Sequence, residues 1–281
     1  MRADIRYNLV IDGDEFARAQ AAADEASDLP AERIDPERFY CTQRWDRYTP
    51  EDHAVWATLV KRRLETLEEQ ASDVFLNGMR LLGFDREFVP RISEVNAKLR
   101  ALTGWQSRPV PGYLPAKAFF ACLSRREFPT TVTIRPRELL DYLPEPDIFH
   151  DVFGHVPLHA DPVFADFLQT YGRAALHCED PYHVERLARL FWFTVEFGLI
   201  REGGRVKLYG SGLISSVGES PHALHSADVD RRPFDLDRVC DTPFEIDHYQ
   251  PILYVLESFE QLRDAMHEYA GRVLEESGVA A

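Results

Sequence analysis

Paired cysteines, long apolar runs and surplus positive charge are all missing from this chain. Its four cysteines, Cys41, Cys122, Cys178 and Cys240, lie far apart with no CxxC pair. That excludes a disulfide framework and a cysteine-based metal site, and it fits a reducing, cytoplasmic setting. The most apolar stretch, around residues 190 to 200, is too short to cross a bilayer and has Glu196 inside it. The segment MRADIRYNLVIDGDE mixes charges into its only apolar run and offers no leader-like core. Lys plus Arg number 32 against 47 Asp plus Glu, a formal net charge of -15. Non-specific attraction to nucleic acid or to an anionic membrane is therefore not expected, and small molecules are the expected partners. Internal repeats and low-complexity linkers are absent as well.

What is present is enough apolar material for a large core, 45% of 281 residues. We expect a single catalytic domain over 1–281, with an N-terminal helical part at 1–100 and a site-bearing core at 108–259. The pairs Thr49-Pro50, Asp161-Pro162 and Asp180-Pro181 each place a capping side chain before a proline, and each predicts a helix start. Further helices are expected at 93–103, closed by Gly104, at 116–124, and from Ser258 towards Glu275, where Ser258 and Gln261 have capping-box spacing. The runs TTVTI, 130–134, and RVKLY, 205–209, read as short strands. RPVPGYLP, 108–115, reads as a fixed loop. The fold class is mainly α with a few short β-strands.

Within PEPDIFHDVFGHVP, 144–157, His150 and His155 stand five positions apart. On a regular helix that is about 140° around the axis, so a shared metal requires the chain to deviate, and Gly154 and Pro157 supply a reason near the second histidine. The acids Glu145 and Asp147 suit a helix start. In LFWFTVEFGLI, 190–200, Glu196 is a carboxylate in an otherwise buried helix pattern, costly to bury unless paired, protonated or metal-bound. Ala188, Trp192 and Glu196, at four-residue spacing, share a face of a regular helix. Two imidazoles and a carboxylate make the facial triad of non-haem iron oxygenases, and a related set serves zinc hydrolysis. From these residues alone, a metal centre and a pair of satisfied core histidines with a Glu–Arg pair both stay open.

The blocks RPVPGYLPAKAFF, DYLPEPDIFHDVFGHVPL, LFWFTVEFGLI, YGSGLISSVGES and HYQPILYVLESF, in this order, resemble the pterin-dependent aromatic amino-acid hydroxylases. Within that family the chain is most similar to the short bacterial phenylalanine 4-monooxygenases. The resemblance runs from about Arg108 to about Phe259; the segment YCTQRWDRYTPEDHAVWATL extends it weakly towards the N-terminus. It implies an enzyme that uses Fe(2+), a tetrahydropterin such as tetrahydrobiopterin, and O2 to hydroxylate a free aromatic amino acid, most simply L-phenylalanine to L-tyrosine. His150, His155 and Glu196 match the iron ligands. Arg135 matches the clamp on the substrate carboxylate, a task for which a guanidinium fork is suited. Ser215 matches a residue that binds the head group or orients His150. Trp192, Pro146 and Gly212 match positions lining the substrate pocket. Phe119 matches the pterin-stacking residue, with Gly112, Leu114, Asp151, Ala188 and Phe191 around it.

Two departures accompany the match. Leu143 stands where animal members carry a hydroxyl residue, and the regulatory extension and long heptad tail of animal members are not expected, so a monomer is. Ile246 is apolar where tyrosine hydroxylases place an acid, which favours a phenyl ring; tryptophan hydroxylation is the alternative within the family. A more distant alternative is a metal-dependent phosphohydrolase, because His150-Asp151 is an HD dyad. It would need a further upstream histidine, and only His53 precedes His150.

Overall fold

Proline and the residue before it set the starts of the longest helices. In the computed structural model, which describes residues 10–141, 145–246 and 248–276, α1 spans Gly13–Glu25 and α2 spans Pro50–Gln70. The Thr49 hydroxyl accepts the Asp52 N–H while the Asp52 carboxylate accepts the Thr49 N–H, so two orphan donors are satisfied reciprocally. Helix α3, Asp73–Leu82, starts at Ser72 and stops at Gly83, whose φ of 55° lies in the left-handed region. Helices α4, Ile92–Leu102, and α5, Ala116–Ser124, fall within a residue of expectation. Asp161 caps α6, Pro162–His177, and Asp180 caps α7, Pro181–Phe191. Three short helices follow, α8 at Ser211–Ser215, α9 at Glu219–His225 and α10 at Leu236–Asp241; the chain then ends its described part in α11, Phe259–Glu276.

The helix α11 start differs in one detail from a capping box. Ser258 does accept the Gln261 N–H, but the Gln261 amide oxygen accepts from the Glu257 N–H, one residue earlier than expected.

The strands are short and lie in two sheets. β1, Gln106–Val110, pairs in parallel with β2, Glu127–Thr131; β3, Leu199–Glu202, lies between β4, Arg205–Leu208, and β6, Ile252–Leu256, with β5, Asp230–Pro233, at the far side of β6. Two expectations are corrected here. The strand expected at 130–134 begins three residues earlier, because Glu127 to Thr131 have partners in β1, whereas further on the Val132 carbonyl accepts the Tyr48 hydroxyl and the Thr133 carbonyl accepts the Ile148 N–H. The loop expected at 108–115 gives its first three residues to β1, where Pro109 sits in a ladder with one neighbour and its carbonyl accepts the Cys41 N–H.

One main apolar cluster runs from Val10 to Val273 and contains Trp56, Trp105 and Tyr171 at 1% exposure or less. Helix α6 lies in its middle, packed between α5 and α11. No helix among the described residues is long and apolar enough to cross a membrane. The segments that carry His150, His155 and Glu196 hang on this core as π-helical turns, Phe149–His155 and Trp192–Glu196. Leu143 and residues 1–9 and 277–281 lie outside the described residues.

Candidate metal centre

A π turn joins residue i to residue i+5, and this resolves the spacing of the two histidines. His150 and His155 are five apart, and in the wider turn they come to the same side, with their Nε2 atoms 3.2 Å from each other. The departure from α geometry is therefore spread over the whole segment and is not confined to Gly154 and Pro157. The same device brings in the third residue. The Phe197 N–H bonds the Trp192 carbonyl five residues back, and Glu196 comes to 3.3 Å from His155 Nε2 and 3.6 Å from His150 Nε2.

The change of winding also corrects the expected shared face. Ala188, Phe191 and Glu196 line one cavity, but Trp192 does not; its indole is turned to stack on Phe244 at 4.5 Å and to touch Phe197 at 4.6 Å.

Three groups able to donate a lone pair to a metal thus converge, and hydrogen bonds from outside the cluster orient two of them. The Ser215 hydroxyl donates to the Ser211 carbonyl, so it accepts from His150 Nδ1–H at 2.9 Å. The His150 proton is thereby placed on Nδ1 and its Nε2 faces the other two groups, the usual support for a metal-bound histidine. Burial lowers the pKa of His150 to about 4, with Glu196 opposing and His155 reinforcing the shift, so the ring is neutral and ready to ligate. Burial raises Glu196, but the facing His155, His150 and the Ser211 hydroxyl outweigh it and bring the carboxyl down to about 2. Ser211 Oγ donates to Glu196 Oε2 at 2.8 Å.

Two imidazole nitrogens and a carboxylate this close offer three ligand atoms within reach of one ion. The donor set fits Fe(II) in an open facial triad. A second cluster, Asp180, His183 and Glu276, has similar composition, but His183 is already bonded through Nδ1 to Tyr269 and through Nε2 to Glu276, which ties α7 to α11. His53 is remote from the centre; it accepts the Val89 N–H and packs on Trp45, so the further ligand that an HD hydrolase needs is not supplied.

A cavity of about 290 Å³ opens beside the triad. All six residues matched to the pterin, Gly112, Leu114, Phe119, Asp151, Ala188 and Phe191, line it. Phe119 and Phe191 meet edge to face at 5.7 Å. The Asp151 carboxylate accepts the Thr131 N–H at 2.7 Å, and burial pushes its pKa up to about 7 against the pull of His155 and Thr131. Of the residues matched to the amino acid, only Pro146 lines this cavity.

The others lie outside this cavity and are held by their own contacts. Arg135 is buried and gives Nε and Nη2 to the two oxygens of Asp147 at 2.8 and 2.9 Å; among the described residues, Nη1 has only the Leu140 carbonyl at 3.5 Å. Burial alone raises Asp147, but Arg135 and the His150 and Arg135 N–H groups outweigh it and hold the carboxyl below its ordinary range. Asp147 therefore both fixes Arg135 and caps the turn that carries His150, more than the helix-start role its position suggested. Gly212 lies against the Glu196 carbonyl and the Phe197 ring, where a Cβ would come within 3.0 Å of each.

Polar residues across the chain complete the site, and the sequence pointed to none of them. Ser211 was hidden in a Gly-Ser run that reads as turn chemistry. Arg63 of α2, 2% exposed, donates to the Leu213 and Ile214 carbonyls and to Ser220, and so anchors the α8 turn on which Ser215 stands. Gly210 lets α8 begin there, since a Cβ would meet the Glu196 carbonyl and the Gly198 nitrogen at 2.4 Å.

Residues 44–279 match the family model of the biopterin-dependent aromatic amino acid hydroxylases. The chain belongs to that family. It is 46% identical over 231 residues to the phenylalanine-4-hydroxylase of Chromobacterium violaceum, covering 82% of this chain and 78% of the relative. With the phenylalanine-4-hydroxylase of Mesorhizobium japonicum it shares 44% identity over 89% of this chain and 90% of the other. Among solved structures, it superposes on Chromobacterium violaceum phenylalanine hydroxylase holding iron(III) and the oxidised cofactor 7,8-dihydrobiopterin with a TM-score of 0.80 at 44% identity, covering 86% of this chain and 90% of that one. This aromatic amino acid hydroxylase thus has the mainly helical catalytic fold of its family, and iron and a tetrahydropterin are the family's cofactors, with O2 as oxidant.

Proposed function

We propose that this hydroxylase converts free L-phenylalanine to L-tyrosine, with iron held by His150, His155 and Glu196. The observation that carries the reading is the convergence of two imidazoles and one carboxylate beside an aromatic-lined cavity. Iron(II) and a tetrahydropterin, when bound, supply the reductive activation of O2 that delivers one oxygen atom to the ring. The protein's residues bind, orient and exclude water. Ser215 keeps the proton of His150 on Nδ1. Phe119 and Phe191 offer π faces to the pterin, with Gly112, Leu114, Asp151 and Ala188 around it.

Arg135, locked by Asp147 through two of its nitrogens, presents its remaining Nη1 edge to the amino-acid carboxylate. Trp192, Pro146 and Gly212 border the substrate ring. Ile246 is 73% exposed and does not line the cavity beside the triad, so the preference for phenylalanine rests on the phenylalanine-4-hydroxylase relatives. A monomer is the proposed assembly, because the apolar stripe of α11, Phe259, Leu262, Met266, Tyr269 and Val273, is spent in the core and leaves no heptad seam for a partner helix; sedimentation as a stable tetramer would overturn it.

Turnover of phenylalanine, tyrosine and tryptophan with iron and tetrahydropterin tests the reading. Tyrosine formation from phenylalanine at the highest kcat/KM is expected. Preference for tryptophan, or product without pterin, would refute it.

A further inference from the structure

Gln250 is a polar side chain with only 3% exposure that the reaction as proposed does not use. All the hydrogen-bonding capacity of its amide that faces this wall is engaged. Its Oε1 accepts the Trp192 indole N–H at 3.0 Å, while Nε2 donates to the Glu245 carbonyl at 2.8 Å and the His248 carbonyl at 3.1 Å. One amide therefore joins two separate pieces of chain, the π turn that carries Glu196 and the segment leading into β6.

The surroundings make this junction stiff. Trp192 is stacked face to face on Phe244, with 14° between the planes, and also meets the tilted ring of Phe197, which lies in turn close to Gly212. Beyond Gln250, Tyr249 packs on His222 at 4.8 Å. Behind it, β6 is hydrogen-bonded in parallel to β3, the strand that directly follows the Glu196 turn. An indole held by ring contacts alone can still slide along them. The hydrogen bond at its edge is the one directional contact that stops this, since stacking is tolerant of offset whereas a hydrogen bond weakens steeply with misalignment.

We infer that Gln250 is a positioning residue that fixes the Trp192 indole and the Glu245 and His248 carbonyls as one unit, and so sets how tightly and how selectively the site holds the aromatic side chain of its substrate. The inference rests on the assignment of Trp192 to the substrate ring and deepens it. Gln250 touches neither metal nor the pterin cavity. Its effect is therefore confined to the amino-acid side of the reaction.

The test uses iron-loaded full-length protein as wild type, Gln250→Leu, Trp192→Phe and the double variant, with KM for phenylalanine, the apparent pterin constant, iron content and the phenylalanine-to-tryptophan ratio of kcat/KM. Gln250→Leu is expected to raise KM for phenylalanine about tenfold, the worth of one or two neutral hydrogen bonds, and to narrow the discrimination between amino acids. The pterin constant and iron content are expected to stay within about twofold of wild type. In the Trp192→Phe background, which already lacks the indole N–H, the same change is expected to move KM much less, the non-additivity of residues that act through one another.

A general loss of structure would shift both constants and the iron together and would overturn the inference, as would fully additive effects or an unchanged KM in Gln250→Leu. The underlying function is judged apart from this. If wild type fails to hydroxylate phenylalanine, that reading fails; if wild type is active and Gln250→Leu behaves like it, only the role of Gln250 fails.

Discussion

The two walls beside the metal centre are built on opposite principles. The pterin-side wall is an open cavity whose main surfaces are rings and small residues, Phe119, Phe191, Gly112 and Ala188. Such a surface suits the flat pterin proposed for it. The amino-acid wall is closed on itself, with Arg135 bound to Asp147, Trp192 to Gln250 and Ser215 to His150. Its polar groups are already oriented before substrate arrives. Shape complementarity tolerates substitution, whereas a buried network depends on every member, so the same kind of mutation is expected to cost more on the second wall than on the first.

The largest expected effect is at Asp147. Asp147→Ala leaves the buried Arg135 guanidinium without its counter-charge, which typically costs about 3–5 kcal/mol. Thermal or denaturant unfolding is expected to show a destabilised protein or one that fails to accumulate. A loss below about 1 kcal/mol would mean that the pair is effectively solvated and that the wall is not a network.

Next comes Arg135→Lys, which keeps the charge and loses the fork. Loss of one charge-assisted bond is worth roughly 1.5–3 kcal/mol, or about a tenfold to hundredfold fall in kcat/KM for phenylalanine. Iron content is expected to remain normal. Near-wild-type kinetics with full iron would remove Arg135 from the site.

On the open wall, Phe119→Ala is expected to weaken pterin use by about 1 kcal/mol of aromatic contact and to change amino-acid affinity less. An unchanged apparent pterin constant would break the comparison from that side. The smallest effect has the opposite sign. His159, behind the cavity-lining Phe128, is fully buried, neither ring nitrogen finds a hydrogen-bond partner among the described residues, and burial holds its pKa well below the ordinary value. Replacing it by Phe removes an unsatisfied polar group and is expected to raise stability by about 1 kcal/mol with iron and turnover retained. A loss of stability would show that His159 has a partner in solution, such as a bound water.

Local chemistry in the sequence was enough for the helix starts at Thr49, Asp161 and Asp180, because a cap and a proline act within one turn. The three converging side chains were also legible, since a carboxylate in an apolar run demands a partner. Their geometry was not. A π turn has no composition of its own; it is defined by which carbonyl an N–H reaches, so the side on which Trp192 emerges had to be seen. The residues that hold the site in place were hidden for a related reason. Arg63 acts on Ile214 and Ser220, and Gln250 on Trp192, across long stretches of chain, and nothing beside them in the sequence marks them. The start of β2 was misjudged because β-branched composition favoured 130–134, whereas pairing with β1 decided where the strand lies.

Metal analysis tests the central claim most directly. Iron content is measured on the reconstituted wild type and on His150→Ala, His155→Ala and Glu196→Ala, each checked for native folding, alongside pterin-dependent formation of tyrosine. The account predicts a single tightly held iron in the wild type, and loss of both iron and turnover in each of the three variants. Wild-type-like iron retention and activity in any one of them would contradict it.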